Sequence, residues 1–451
     1  MTNFLGSVWW LLVALGVLVT IHEFGHFWVA RRAGVKVLRF SIGFGPALWS
    51  RRARDGVEYV VAALPLGGYV KMLDEREGDV DPRDLQSAFN RKSAWTRIAI
   101  VVAGPVANLI LCVLLLWAMF VIGRPDYLPV AGTVDGIAQQ AGIRAGDTLL
   151  SIDGRLTPTW TEAAYALLPA ALDRKDVEVE VRMAGGVQAT RTLQLTRLPD
   201  DFDERQAIAL AGIMPRHFVT TTTIGDVATG SPAAGTLKAG DRIVRVDGKS
   251  IASFDAIAPL VQTAANRDGA VRLVFERDGR QRDARVLPIR SSDAGPARWI
   301  LGVGPSRVTP EPDALLRYGP IEAVPHALSE AVYQTRQLFA MVGRAFTGAV
   351  SLRNTVGGPV TIGKAANEFA NRGVAWFLSL LAMLSLSLGI LNLLPVPILD
   401  GGHLLYYLIE LAKGSPVSER IMAAGQMVGL VLIAGLMSLA FYNDIVNHLL
   451  R

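Results

Sequence analysis

His22-Glu23-Phe24-Gly25-His26 lies inside an apolar run that begins near Phe4 and ends at Ala30, just before Arg31 and Arg32. On a helix, residues four apart sit one turn apart on the same face. His22 and His26 can therefore offer two neutral imidazoles to one metal ion. Zinc takes such nitrogens at about 2.0–2.1 Å and, in catalytic sites, keeps a position open for water. Glu23 projects beside them, where a carboxylate can take a proton from that water. Two unrelated core histidines would show the same spacing, but the chain has only six histidines in 451 residues. The apolar setting adds weight, because an ionisable group at membrane depth is costly and is kept for function.

Composition agrees with a membrane setting. A chain of 451 residues is too long for one ordinary domain. Its 51% hydrophobic residues and mean hydropathy of +0.33 exceed those of ordinary soluble proteins. The net charge of +5 is modest, and the basic residues cluster beside apolar runs. That pattern fits a lipid bilayer as partner and argues against nucleic acid. The single cysteine, Cys112, excludes an internal disulfide and a cysteine-built metal site. The first apolar run has no basic segment before it and no clear A-x-A cleavage site after it, so it reads as a retained span.

Four segments, 4–30, 98–122, 374–394 (continuing brokenly toward Leu411) and 421–442, are long and apolar enough to cross a hydrocarbon core of about 30 Å. The fold class expected is an α-helical polytopic membrane protein with four transmembrane helices and two β-rich domains between spans two and three. Its parts are a first transmembrane helix (1–32), a membrane-associated β-rich loop (33–95) and a second transmembrane helix (96–124). Two repeated domains follow (128–218 and 221–308), then an external amphipathic helix and connector (309–373). A third, broken segment (374–411) and a fourth helix (421–448) complete the chain. The second span contains Gly104, Pro105 and Asn108. Asn108 either faces the site or packs between spans, packing being the more usual role.

The loop after the first span carries Lys36, Arg39, Arg51, Arg52, Arg54, Lys71, Arg91 and Lys92. The positive-inside rule places it in the cytoplasm, with both chain termini and the large region after span two outside. Residues 35–42 and 56–69 have strand-like spacing, punctuated by Gly43, Gly45, Gly67 and Gly68. Short strands folded back near the membrane are expected. Their edge either pairs with an unwound substrate segment or belongs to a purely structural hairpin.

The external region repeats itself. Ala145-Gly146-Asp147-Thr148-Leu149-Leu150-Ser151-Ile152-Asp153-Gly154 recurs as Ala239-Gly240-Asp241-Arg242-Ile243-Val244-Arg245-Val246-Asp247-Gly248. A second echo pairs Leu210-Ala211-Gly212-Ile213-Met214-Pro215 with Ile300-Leu301-Gly302-Val303-Gly304-Pro305. The pattern resembles tandem PDZ domains of the circularly permuted bacterial type. On that resemblance, Gly212 and Ile213, and Gly302 and Val303, are candidate loops for a peptide terminus, and the pair serves recognition or gating; rigid spacers are the plainer reading. Residues 320–352 read as an amphipathic helix on the outer membrane surface or against the spans, and Gly357-Gly358-Pro359-Val360 as a turn toward span three.

Two histidines need a third ligand. Asn392-Leu393-Leu394-Pro395-Val396-Pro397-Ile398-Leu399-Asp400-Gly401-Gly402-His403 breaks the third span with two prolines. Irregular backbone at membrane depth survives only when buried in protein or lining a wet cavity. Asp400 and His403 are the rival ligands. Asp400 is preferred, since a carboxylate in that setting needs a cation more than a neutral imidazole does. His217, His326 and His448 lack ligand spacing.

Taken together, the His22–His26 motif, the Asn392-to-Gly401 stretch, the Leu66-Gly67-Gly68-Tyr69-Val70-Lys71-Met72 and Gly357–Val360 segments and the tandem modules resemble the site-2 protease family of intramembrane zinc metalloproteases. The bacterial regulator of sigma-E protease branch is the nearest in pattern. The resemblance implies Zn2+ held by His22, His26 and Asp400, with Glu23 as catalytic carboxylate. It implies that Asn392 holds substrate or steadies the transition state. It also implies a bacterial inner-membrane protein with periplasmic modules. Its substrates would be single-span membrane proteins, a pre-trimmed anti-sigma factor and remnant signal peptides, cut within the bilayer. A membrane-anchored PDZ adaptor without catalysis, or a zinc transporter, would need no carboxylate beside the histidines.

Overall fold

The computed structural model describes residues 2–76, 78–199, 202, 206–251, 253–292, 297–306, 310–348, 350 and 357–448. It divides into two compact units, Met1–Arg124 with Leu316–Arg451, and Pro125–Leu315.

The first unit is mostly helical. Helix α1 (Thr2–Arg32) is mostly apolar apart from the His22–His26 motif and its final arginines, and is free of proline. Helix α2 (Ala94–Ile122) starts where the Ser93 side chain accepts the Thr96 amide, at 3.2 Å. Glycines let α1 and α2 come together: a Cβ on Gly25 would overlap the Ala103 carbonyl, and one on Gly104 would overlap the His26 ring. After the second unit come α3 (Ala323–Thr347), α4 (Pro359–Arg372), α5 (Val374–Asn392), α6 (Asp400–Lys413) and α7 (Glu419–His448). Among the described residues, α1, α2, α5 and α7 are the helices long and apolar enough to cross a membrane. Leu116, Met119 and Phe120 of α2 pack against Ala323, Ala327 and Ala331 of α3 and Ala382 and Leu386 of α5. Ala14 and Leu18 of α1 meet Leu381 of α5. Small residues at these seams let helices approach where the hydrophobic effect cannot drive them together.

Helix α4 was not anticipated; its start reads in sequence as a turn. Gly358 is its N-cap and Pro359 its first residue, a position where proline loses no hydrogen bond. The Asp444 carboxylate of α7 accepts the amides of Gly358, Val360 and Thr361 at 3.2, 2.8 and 3.2 Å. Helix α7 also packs through Gly425 and Gly429, four residues apart, against Tyr406, Pro397 and Ile398. Helix α3 covers the core of the expected 320–352 segment; positions 351–352 lie outside the described residues.

The loop after α1 differs from the short strands expected. Strands β1 (Val37–Arg52) and β2 (Glu58–Met72) are long, and each is bent in the middle. Gly43 and Gly45 have φ of 92° and 89°, which releases β1 from its straight path. Both halves then pair: Phe40 lies opposite Val70 on one side and Tyr59 on the other, while Arg51 lies opposite Tyr59. The order across the sheet is 47–52, 58–62, 37–42, 68–72. Residues 58–61 are therefore flanked on both sides and offer no edge. The edges are 47–52 and 68–72.

The second unit contains two copies of one plan. Each has a four-stranded sheet in the same order. The first runs 155–156, 148–152, 177–182, 188–193, and the second 249–250, 242–246, 271–277, 280–286. Helices Trp160–Leu172 and Ile257–Asp268 occupy equivalent places. The repeated Asp-Gly pairs are the hairpin turns, with positive φ at Asp153, Gly154, Asp247 and Gly248. The repeated Gly-Asp pairs are anchors: Asp147 accepts the Arg144 amide at 2.9 Å and Asp241 the Lys238 amide at 2.8 Å. Leu149, Val179 and Leu193 lie in one core, Ile243, Leu273 and Phe275 in the other. Positions 307–308, the expected end of the second module, lie outside the described residues.

Candidate metal centre

Nε2 of His22, Nε2 of His26 and Oδ2 of Asp400 form a small triangle. The two nitrogens are 3.2 Å apart, and Asp400 lies 3.1 Å from His22 and 3.4 Å from His26. Ligands at about 2.0–2.1 Å from a tetrahedral zinc ion are separated by about 3.3 Å. The donor set therefore fits zinc in chemistry and in spacing. Among the described residues this is the cluster able to hold a metal.

The remaining ring nitrogens are held from α2. Nδ1 of His26 is 2.8 Å from the Ile100 carbonyl, which can only accept. Its Nε2 is thereby left bare for a metal. Nδ1 of His22 is 3.3 Å from the amide of Asn108, a fully buried side chain. An amide presents oxygen or nitrogen with the same shape, and the oxygen is the end that leaves Nε2 of His22 bare. Asn108 thus faces the site, while its backbone carbonyl accepts the Ser385 hydroxyl at 2.8 Å and serves packing too. Both roles weighed from sequence are filled by different atoms of one residue.

The triangle sits in the wall of a cavity of about 600 Å³ that Glu23 also lines. Edge residues 68–72 form another wall. A Cβ on Gly68 would come within 2.9 Å of Cγ of Glu23, so the glycine lets the strand run beside that carboxylate. Asn392, the last residue of α5, puts Nδ2 3.4 Å from Nε2 of His22. His403 lines the cavity but stands outside the triangle. His217 and His326 stack on Tyr127 and Tyr318 at 3.9 and 3.8 Å. The His448 side chain lies outside the described residues.

The glycine loops of the second unit have a fold-based requirement. Gly212 and Gly302 have φ of 85° and 76°, and their carbonyls accept the amides of Asp135 and Ala228 at 3.0 and 2.8 Å. Ile213 and Val303 open the short strands Ile213–Pro215 and Val303–Pro305. Alternation along these strands turns residues 213 and 215, and 303 and 305, away from the partner strand. A peptide added there would meet the Ile213 or Val303 amide but no donor at Pro215 or Pro305.

A model of peptidase family M50 matches residues 10–436. The chain belongs to peptidase family M50. A family member from Xylella fastidiosa (strain Temecula1), named as a candidate zinc metalloprotease, is 51% identical over 99% of this chain and 100% of its own length. The regulator of sigma-E protease of Escherichia coli (strain K12) is 40% identical over 98% of this chain and 99% of its own. The Salmonella typhimurium (strain LT2) counterpart is 40% identical over 96% and 97%. The chain is an M50 zinc metallopeptidase of the regulator of sigma-E protease branch.

Sequence reasoning missed the Ile100 carbonyl and the Gly104 cradle. Gly104-Pro105 in an otherwise apolar span was the available signal. Gly104→Ala is expected to displace the His26 ring and to weaken zinc binding about 10–100-fold, the usual cost of disturbing the groups that orient a ligand. Zinc competition with a chromophoric chelator, in purified detergent-solubilised protein, measures it.

Proposed function

We propose that the protein is an intramembrane zinc endopeptidase of the bacterial inner membrane, cutting single-span membrane proteins within the bilayer. One observation carries the reading: three ligand atoms at zinc spacing, with Glu23 in the same cavity, where two of the ligands and Glu23 stand on a helix long and apolar enough to span a membrane and the third opens the short helix α6. His22, His26 and Asp400 hold the ion. Zinc bound there supplies Lewis acidity, polarising a carbonyl and easing the ionisation of water. Glu23 takes the proton from water and delivers it to the leaving amine. The Asn392 amide, near the ligand triangle, donates to the scissile carbonyl oxygen as charge builds, or grips the substrate backbone.

A spanning substrate hides its peptide bonds in helical hydrogen bonds and must unwind to be cut. Edge 68–72 runs along the cavity wall and offers a place for the opened segment to pair. The basic loop stays in the cytoplasm, which puts the second unit and both termini in the periplasm. The substrate class that suits this arrangement is a pre-trimmed anti-sigma factor, as sigma-E regulation in the named relatives suggests, together with remnant signal peptides. The two repeated modules are PDZ-like. Their missing donors at Pro215 and Pro305 favour exclusion of bulky substrates over tight capture of peptide termini.

Three outcomes follow. Glu23→Gln is expected to keep about one zinc per chain and to cut a single-span substrate about 10²–10⁴-fold more slowly; metal analysis and cleavage in detergent check both, and undiminished cleavage would place the proton transfer elsewhere. Proline at Tyr69 or at Val70 is expected to abolish cutting of a helical substrate in whichever of the two variants turns the lost amide outward. Both should still cut a short unstructured peptide, and equal loss on both substrates would exclude strand pairing. Removal of residues 128–308 is expected to raise cleavage of a substrate that keeps its external domain; an unchanged rate would sink the exclusion reading.

A further inference from the structure

Helix α6 begins at Asp400, directly after the irregular stretch that ends α5, so its direction is not inherited from α5. Something else must aim it. Ten residues beyond Asp400, about 15 Å along the helix, Glu410 accepts Nη2 of Arg97 at 2.5 Å. The Arg97 guanidinium also lies 4.7 Å above the Tyr407 ring, one turn back on α6. Its Nε donates to the Lys92 carbonyl at 3.1 Å, which ties the side chain to the segment leading into α2. Arg97 is 9% exposed, and both it and Glu410 line the cavity that holds the metal triangle. One turn along α2 from Arg97 is Ile100, whose carbonyl holds His26.

We infer that Arg97 and Glu410 are positioning residues for the metal centre: one turn of α2, residues 97–100, sets both the His26 ring and the helix that delivers Asp400. The inference rests on the zinc peptidase reading. A charged, largely buried pair is held only by good geometry, since each member left alone is strongly penalised. The stacked ring adds a second constraint on the same helix. Through this pair, a shift of α6 against α2 becomes a change in the distance from Asp400 to the two imidazoles. A pair that served stability alone would alter the folded fraction but leave the zinc affinity of folded protein unchanged.

The test uses the full chain in detergent with Arg97→Met, Arg97→Lys and Glu410→Gln, taking only the monodisperse fraction from size-exclusion chromatography. Zinc dissociation constants come from chelator competition, and the cobalt(II)-loaded protein reports ligand geometry through its visible absorption. Arg97→Met and Glu410→Gln are expected to weaken zinc about 10–100-fold and to change the cobalt spectrum. Arg97→Lys, which keeps the charge opposite Glu410, is expected to recover most of the affinity. Wild-type affinity and spectrum in both Arg97→Met and Glu410→Gln would overturn the inference. If Arg97→Met yields no monodisperse protein, Glu410→Gln, which keeps the shape and removes the charge, decides alone. A wild-type chain that binds no zinc would instead sink the metal-centre reading.

Discussion

The crossing of the first two spans at Gly25 and Gly104 is the constraint from which the site follows. Neither position has room for a methyl group: one faces the Ala103 carbonyl and the other the His26 ring. Helices that close bring backbone as well as side chains into the interface. That is how the Ile100 carbonyl comes to accept from His26, and how Asn108, two turns further on, reaches His22. The histidines are thus oriented by the helix they cross. In an apolar surrounding this matters doubly, because a ring nitrogen left without a partner there has no water to turn to.

The third donor of the triangle, Asp400, requires the opposite device, a break. A continuous helix through residues 393–399 could not fold back on itself, and Pro395 and Pro397 prevent one. Gly401 and Gly402 then pack directly on the backbone of residues 393, 394, 396 and 397. Asp400 becomes the first residue of α6, where the helix dipole favours an anion. Gly425 and Gly429 of α7 close over the same loop. Part of the irregular backbone is thereby packed against protein, the condition for such backbone at membrane depth.

Much of this was legible because it depends on short-range pattern. The i, i+4 histidines, the four apolar runs and the repeated Gly-Asp and Asp-Gly turns each follow from local geometry. The choice between Asp400 and His403 was not settled by spacing. They are three residues apart, and only the start of α6 after the broken segment turns Asp400 toward the histidines while His403 faces the wider cavity. The double pairing of β1 and β2 was hidden for a related reason. Glycines at 43 and 45 announce a bend, but which halves pair afterwards depends on contacts between distant residues. Helix α4 was missed because Gly-Gly-Pro marks a helix start as readily as a turn, and the cap that decides it, Asp444, lies over eighty residues away.

On the proposed reading, the bent sheet also places substrate handling beside catalysis. Each backbone group freed from a helix in a low-dielectric setting is costly unless it finds a partner. Unwinding even one turn of a spanning substrate frees several. An edge strand can repay those losses at the place where they arise, and Gly68 brings that edge against Glu23. Under that proposal, an edge at 58–61 would not have given the opened segment the strand that lines the cavity with Glu23. By folding each strand in two, the chain pairs 58–61 on both sides and lines with 68–72 the cavity that also holds His22, His26 and Asp400. The glycine-released bend in β1 is therefore part of the candidate site, because it decides which strand edge lines the cavity beside Glu23 and the three metal donors.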